Sequence, residues 1–172
     1  SDVLLGGTGN DTLIGGTGTD NLRGGSGTDT ASYADAAGGV TVNMLTASHP
    51  EDDVFSSIEN LAGSDFDDSL TGDAAANVIS GGAGNDTLVG GAGDDTMNGG
   101  ADNDTADYSS AAGPVVVNLE AGTATGDGTD TLVDVENAIG TAAADTLTAK
   151  ATGSTLTGGA GADTLTGGAG VD

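Results

Sequence analysis

An all-β fold wound as a thin solenoid is what this sequence predicts, and three observations predict it. A nine-residue unit, Gly-Gly-x-Gly-x-Asp-x-Leu-x, recurs along much of the chain, cleanest as GGTGNDTLI from Gly6 and GGAGNDTLV from Gly81. Glycine makes up 33 of the 172 residues, while two Phe, two Tyr and no Trp leave too little bulk to fill a wide globular core. No stretch carries the apolar period of an amphipathic helix, which so much glycine would also disfavour; between the glycine runs, apolar residues alternate with polar ones as in strands.

The units fall into three arrays, which with two intervening blocks are read as one continuous solenoid over 1–172. The first array, 6–32, has three loops: Gly6, Gly7 and Gly9 with Asp11; Gly15, Gly16 and Gly18 with Asp20; Gly24, Gly25 and Gly27 with Asp29. A partial unit with Asp2 and Leu4 precedes it. The first block, 33–62, reads YADAAGGVTVNML and then DDVFSSIENLA; Val40, Val42 and Met44 alternate with Thr41 and Asn43 and should bury one face. The second array, 63–107, carries Asp68 and Asn77 in worn units. Gly81, Gly82 and Gly84 then stand with Asp86, Gly90, Gly91 and Gly93 with Asp95, and Gly99 and Gly100 with Asp104. Asp102 stands in that last loop where a third glycine is expected, and either weakens the loop or adds a ligand.

The second block, 108–139, repeats the first. Tyr108 follows Tyr33 by 75 positions and Glu136 follows Glu59 by 77, with Val115, Val117 and Leu119 in place of Val40, Val42 and Met44. Val54 and Ile58 correspond to Thr131 and Val135 in a less regular strand. The block lengths suggest two continued coils each, with the surplus residues 47–51 and 121–128 as protruding loops. Tyr33 and Tyr108 fill space left by the small Ala31 and Ala106. The pairs Glu59-Asn60 and Glu136-Asn137 are read as a solvated Glu beside a turn-forming Asn rather than as ligands. The third array, 140–172, has Asp145 in a worn unit, Gly158, Gly159 and Gly161 with Asp163, and ends at Asp172. Ending in mid-motif, the chain reads as an excerpt of a longer polypeptide.

Glycine at the first, second and fourth positions lets the backbone turn tightly enough for carbonyls to converge, and the Asp at the sixth closes the loop. Carbonyls and carboxylates are hard oxygen ligands, the set that Ca²⁺ accepts in flexible geometry. The eighth residue points inward: Leu13, Leu22, Leu70, Ile79, Leu88, Met97, Leu147, Leu156 and Leu165. One such side chain per unit cannot offset the entropy of ordering nine residues, so metal must contribute to folding. Charge agrees. Twenty-seven acidic residues against Arg23 and Lys150 give a net charge of −25, so that an empty chain repels itself and repels nucleic acid.

The nonapeptide resembles the RTX family, the repeat-in-toxin or hemolysin-type calcium-binding repeat. The resemblance implies a right-handed parallel β-roll in which two nonapeptides make one coil, so that loops two repeats apart share a calcium ion. Carried onto this chain, it stacks Asp2 on Asp20, Asp11 on Asp29, Asp68 on Asp86, Asp86 on Asp104 and Asp145 on Asp163. Weaker stacks place Asn77 on Asp95 and Ser154 on Asp172. That makes about seven calcium ions. Asp86 counts in two stacks and Asp104 in one, so losing Asp86 should cost more.

The resemblance also implies type I secretion and an extracellular or cell-surface location, where calcium is abundant. The expected role is a calcium-dependent scaffold or spacer that folds after export. Two alternatives are a ligand- or ice-binding rod, with Thr8 and Asn10 in an outward ladder, and the tail of a secreted lipase or protease.

Catalysis is not expected. The chain has no Cys, a single His, His49, beside Pro50 in a polar segment, and neither GxSxG, HExxH nor a P-loop. Three Asn-x-Thr sequons, at Asn10, Asn85 and Asn103, lie inside the loops and are by-products of the repeat. No apolar run is long enough to insert into a membrane.

Overall fold

The computed structural model describes residues 1–45 and 53–169. Thr and β-branched residues flanking each inward residue favour extended backbone, and glycine-rich turns interrupt it every few residues. Nineteen short strands result among the described residues. They are β1 (Val3–Thr8), β2 (Thr12–Leu13), β3 (Asn21–Ser26), β4 (Thr30–Ser32), β5 (Thr41–Asn43), β6 (Val54–Ser56), β7 (Asn60–Ala62), β8 (Ser69–Thr71), β9 (Val78–Ala83) and β10 (Thr87–Val89). They continue as β11 (Thr96–Ala101), β12 (Thr105–Asp107), β13 (Val116–Asn118), β14 (Thr123–Thr125), β15 (Thr129–Val133), β16 (Asn137–Ile139), β17 (Thr146–Thr148), β18 (Leu156–Thr157) and β19 (Thr164–Thr166).

Three sheets collect them. The longest has ten strands in the order β19-β17-β13-β14-β15-β11-β9-β7-β4-β2; the others run β18-β16-β12-β10-β8-β5 and β1-β3-β6. Within the arrays the chain alternates between the ten-stranded sheet and one of the other two, and equivalent strands pair in parallel. Val3 lies beside Asn21, Thr87 beside Thr105 and Thr96 beside Val78, so each coil holds two nonapeptides, as expected.

That register puts one apolar residue of each strand into a row between the layers. Leu13, Ala31, Leu61, Ile79, Met97, Leu132 and Leu147 line the ten-stranded side, facing Val42, Leu70, Leu88, Ala106 and Ala138 from the six-stranded side, all buried. Period-two alternation explains the thin core: only the middle residue of each three-residue strand faces in. The expected inward rows hold except at the end of the molecule, where Leu156 is half-buried and Leu165 is 50 % exposed. β18 and β19 are outermost in their sheets, and among the described residues no further coil covers them.

The blocks depart from the expected winding. β13 pairs in parallel with β17, the strand that follows later in the chain, while β15 pairs in parallel with β11 behind it. Between them β14 runs antiparallel to both. The chain therefore runs ahead, reverses, and returns to fill the coil it skipped. Residues 121–128 are not a protruding loop: β14 is a central strand and Ala124 is 1 % exposed, because antiparallel partners on both sides hold it in the sheet. The first block repeats the exchange, with β5 on β8 ahead and β6 on β3 behind. Residues 46–52, with the expected loop 47–51 and His49, lie outside the described residues. Two continued coils are thus replaced by a leap and a return. The return strands face inward through Phe55 and Leu132, beside Leu22 and Met97 respectively, whereas Val54 is exposed.

Candidate metal centre

At the turn of each coil the Asp carboxylate folds back over the first glycine of its own loop. A Cβ on Gly6 would sit 2.7 Å from Asp11 Oδ2, and one on Gly15 2.6 Å from Asp20 Oδ2, so the space belongs to the carboxylate. The second and fourth glycines take positive φ, +119° at Gly82 and +103° at Gly84, a region that side chains disfavour. Successive loops are also packed backbone on backbone. A Cβ on Gly25 would collide with the Gly7 carbonyl oxygen, and one on Gly27 with that of Gly9. Carbonyl groups are thereby brought against the loop of the neighbouring coil.

The acidic residues form ladders along the axis. The Asp11 N–H donates to Asp29 Oδ1 (2.8 Å), Asp68 to Asp86 (2.8 Å), Asp86 to Asp104 (2.8 Å), Asn77 to Asp95 (2.8 Å), Asp145 to Asp163 (3.0 Å) and Asp2 to Asp20 (2.6 Å). Each pair is 18 residues apart, and every expected stack among described residues is present. Asp172 lies outside them, and Ser154 accepts from the Lys150 N–H through its hydroxyl.

In Asp20, Asp29, Asp86, Asp95 and Asp104 one backbone N–H satisfies Oδ1 and leaves Oδ2. The Oδ2 atoms of Asp11, Asp20, Asp29, Asp86, Asp95 and Asp104 are buried without a hydrogen-bond partner. Among described residues the other side-chain oxygen in that state is Asn98 Oδ1, immediately before Gly99. Leaving one neutral group so costs about 1–3 kcal/mol, and an ionised one costs more. The acidities register it. Burial, with Asp104, Asp68 and Asp67 nearby, pushes Asp86 up to about 7 against the opposing Asp68 N–H. Asp95 and Asp104 rise to about 6, burial again leading.

A cation removes this penalty. Among the described residues no three acidic side chains are placed to hold one metal ion by themselves, so the ligands must be mainly backbone carbonyls with one or two carboxylates. Such an all-oxygen, flexible set suits Ca²⁺ and is poor for a thiol- or imidazole-seeking metal. The glycine-led loops fit calcium.

Three expected sites are built differently, each with the second glycine replaced. The Ser64 N–H donates to Asp68 Oδ2 (2.5 Å) and its hydroxyl to Oδ1 (2.9 Å). The Thr141 N–H donates to Asp145 Oδ2 (2.6 Å) and its hydroxyl to Oδ1 (3.0 Å). The Asp73 N–H donates to Asn77 Oδ1 (2.8 Å), and Asn77 Nδ2 donates to the Glu59 carbonyl (2.7 Å).

Sequence reasoning missed four acidic groups that end the ladders. The Asp20 N–H donates to Asp53 Oδ1 (2.7 Å) and the Asp95 N–H to Asp130 Oδ1 (3.1 Å), across 33 and 35 residues. Tyr33 and Tyr108 close these ends by donating their hydroxyls to the other oxygens of Asp53 and Asp130, both at 2.9 Å. Burial and then the carboxylates hold both phenols far above their ordinary pKa, and burial raises Asp130 against the bonds it accepts.

Glu59 Oε2 accepts from the Asp29 N–H (2.8 Å) and Glu136 Oε2 from the Asp104 N–H (3.1 Å). The solvated reading of these glutamates is thus corrected. A Cβ on Gly24 would meet the Ser57 carbonyl, and one on Gly99 the Asp134 carbonyl, where other coils present a glycine carbonyl. Ser57 and Asp134 turn there with φ of +53° and +48°. From Ser57 to Glu59 the loop is three residues shorter than from Gly24 to Asp29, and the longer Glu side chain recovers the reach. The signal available in the sequence was the recurrence of Glu-Asn after a block that no longer fits a multiple of nine. Glu136 also gives Asp104 a second ladder neighbour, so Asp86 and Asp104 are alike in rank and the expected difference between them loses its basis.

Against known families, the chain matches the RTX calcium-binding nonapeptide repeat in four copies, over residues 1–31, 55–88, 71–106 and 139–172. Most of each block, 32–54 and 107–138, falls between the matched spans. No curated protein matches the chain.

Proposed function

The chain belongs to the RTX calcium-binding nonapeptide repeat family, and from that premise we propose that it is a scaffold or spacer module of a larger secreted or cell-surface bacterial protein, ordered by calcium after export. The observation that carries the reading is the set of six buried, unpartnered Asp Oδ2 atoms, all in glycine-led loops and all in register along the axis. In a calcium-poor cell interior those carboxylates repel one another and the coils stay open; outside, ions join each loop to its neighbour. Each ion joins loops of neighbouring coils within a right-handed roll. A stack of ten strands, parallel except at β14 and spaced at about 4.8 Å, makes a stiff rod roughly 43 Å long, and its role is mechanical rather than catalytic.

Far-UV circular dichroism of the chain against Ca²⁺ and, separately, Mg²⁺ tests this. The expected result is coil in chelator, a cooperative rise in β signal with Ca²⁺, and little response to Mg²⁺, whose octahedral demand these carbonyl loops do not meet. A chelated sample as ordered as the calcium-loaded one would end the reading.

A further inference from the structure

Every loop of the matched repeats would be expected to take calcium, yet the structure divides them into two kinds by one backbone feature. Where the second position is glycine it adopts positive φ, at Gly7, Gly16, Gly25, Gly82, Gly91, Gly100 and Gly159, and in all of these but the last, which lies in the outermost coil, the Asp that closes the loop keeps a buried, unpartnered Oδ2. Where the second position is Ser64, Asp73 or Thr141, φ is not positive, as the cost of that region for a side chain requires. The peptide then presents its N–H to the sixth residue, at 2.5, 2.8 and 2.6 Å respectively. In the first and last of these loops a hydroxyl adds a second donor to the carboxylate. In the middle loop the sixth residue is not an acid: Asn77 uses its own Nδ2 to hold the Glu59 carbonyl, so an N–H joins side chain and neighbouring coil where a cation would.

We infer that loops 63–68, 72–77 and 140–145 close on themselves without metal, and that calcium depends on the carboxylates of the glycine-led loops, Asp11, Asp20, Asp29, Asp86, Asp95 and Asp104, and on the intact loop of Asp163. This rests on the calcium reading above and goes beyond it by assigning which loops hold ions. A carboxylate that already accepts an N–H and an O–H is neutralised by short, fixed dipoles. A cation entering there must displace them and would leave a buried N–H without an acceptor. The two arrays that follow the blocks therefore each begin on a loop that needs no ion, directly after the stretch where the winding was interrupted.

The test is the calcium-to-protein ratio of the full chain after equilibrium dialysis, read by atomic emission. Asp68→Asn and Asp145→Asn should keep the wild-type ratio, while Asp86→Asn and Asp95→Asn should each lose at least one ion. A ratio that falls as far for Asp68→Asn as for Asp86→Asn overturns the inference. If Asp68→Asn or Asp145→Asn does not fold, the converse variant decides. Thr141→Gly with Ala143→Gly restores the glycine pattern ahead of Asp145 and should raise the ratio by one; an unchanged ratio overturns the inference. A wild-type chain that binds no calcium refutes instead the function from which the inference starts.

Discussion

The arrays and the blocks keep the same coil spacing by different chemistry. In the array loop 81–86, Asp86 is packed against a glycine, accepts one N–H and keeps a bare buried oxygen. In the block, Asp130 holds the equivalent rung beside Asp95 but has both oxygens occupied, one by the Asp95 N–H and one by the Tyr108 hydroxyl. In the same block Val115, Val117, Leu119, Ala124, Leu132 and Val135 are all buried, a denser apolar set than one residue per nonapeptide provides. A carboxylate ladder can thus be neutralised by hydrogen bonds from within the chain or left for a cation. The blocks do the first and the glycine-led loops of the arrays the second.

Removing calcium should break this comparison most visibly. By hydrogen exchange in excess chelator, amides of β9 to β11 should lose protection earlier and more completely than those of β13 to β15, because only the former rest on unpartnered carboxylates. Equal and simultaneous loss in both would show that the block has no order of its own.

A change of pH sharpens the same contrast. In the metal-free fold Asp86 is raised to about 7, and Asp95 and Asp104 to about 6, from an ordinary 3.8. Between those values the folded chain binds more protons than the unfolded one, so its stability falls as pH rises from about 4 to 7. Acid therefore partly replaces calcium, and β signal in chelator should be greater at pH 5 than at pH 8. With calcium present the sign reverses for binding, since protons compete for the same oxygens, and the apparent affinity should weaken toward pH 5. Metal-free protein more ordered at pH 8 than at pH 5 would contradict the burial of these carboxylates.

The block has its own weak point. Tyr108→Phe leaves Asp130 Oδ2 buried without its donor and should cost about 1–3 kcal/mol in calcium-saturated unfolding. Tyr33→Phe should act alike through Asp53. Neither should change the calcium-to-protein ratio; a change would make the tyrosine ends part of the metal sites.

How much of this the sequence carried depended on whether neighbours in space were also neighbours in the repeat. The inward rows through Leu70, Ile79 and Leu88 and the stacks through Asp68, Asp86 and Asp104 were legible, because one residue type per position survives a fixed period. β14 was not. Its residues Thr123, Ala124 and Thr125 sit in a polar, glycine-bearing stretch, and what buries Ala124 is antiparallel pairing with strands on both sides. Glu59 and Glu136 were hidden by a compensation that no periodic pattern registers, a loop shortened by three residues and a side chain longer by one methylene. The self-closing of loops 63–68 and 140–145 was written plainly, as Ser and Thr in a glycine position, but its meaning needed the N–H directions.

Asp102 gives the smallest and most discriminating effect. It occupies the fourth position of loop 99–104 and adopts φ of +81°, where the other glycine-led loops carry glycine. Its Oδ2 only approaches the exposed Gly84 N–H at 3.4 Å, while its charge helps to hold Asp104 above the usual carboxylate range. If Asp102 merely weakens the loop, Asp102→Gly relieves both the backbone strain and the like-charge repulsion. It should then stabilise the calcium-loaded chain by about 0.5–1 kcal/mol, with affinity equal or higher. If Asp102 is instead a ligand, the same substitution lowers calcium affinity whatever it does to the backbone. Thermal unfolding at saturating calcium together with a calcium titration separates the two. The carboxylate is exposed and is met by an N–H only at 3.4 Å, whereas the Asp residues of the glycine-led loops bury an oxygen, and that contrast favours the first outcome.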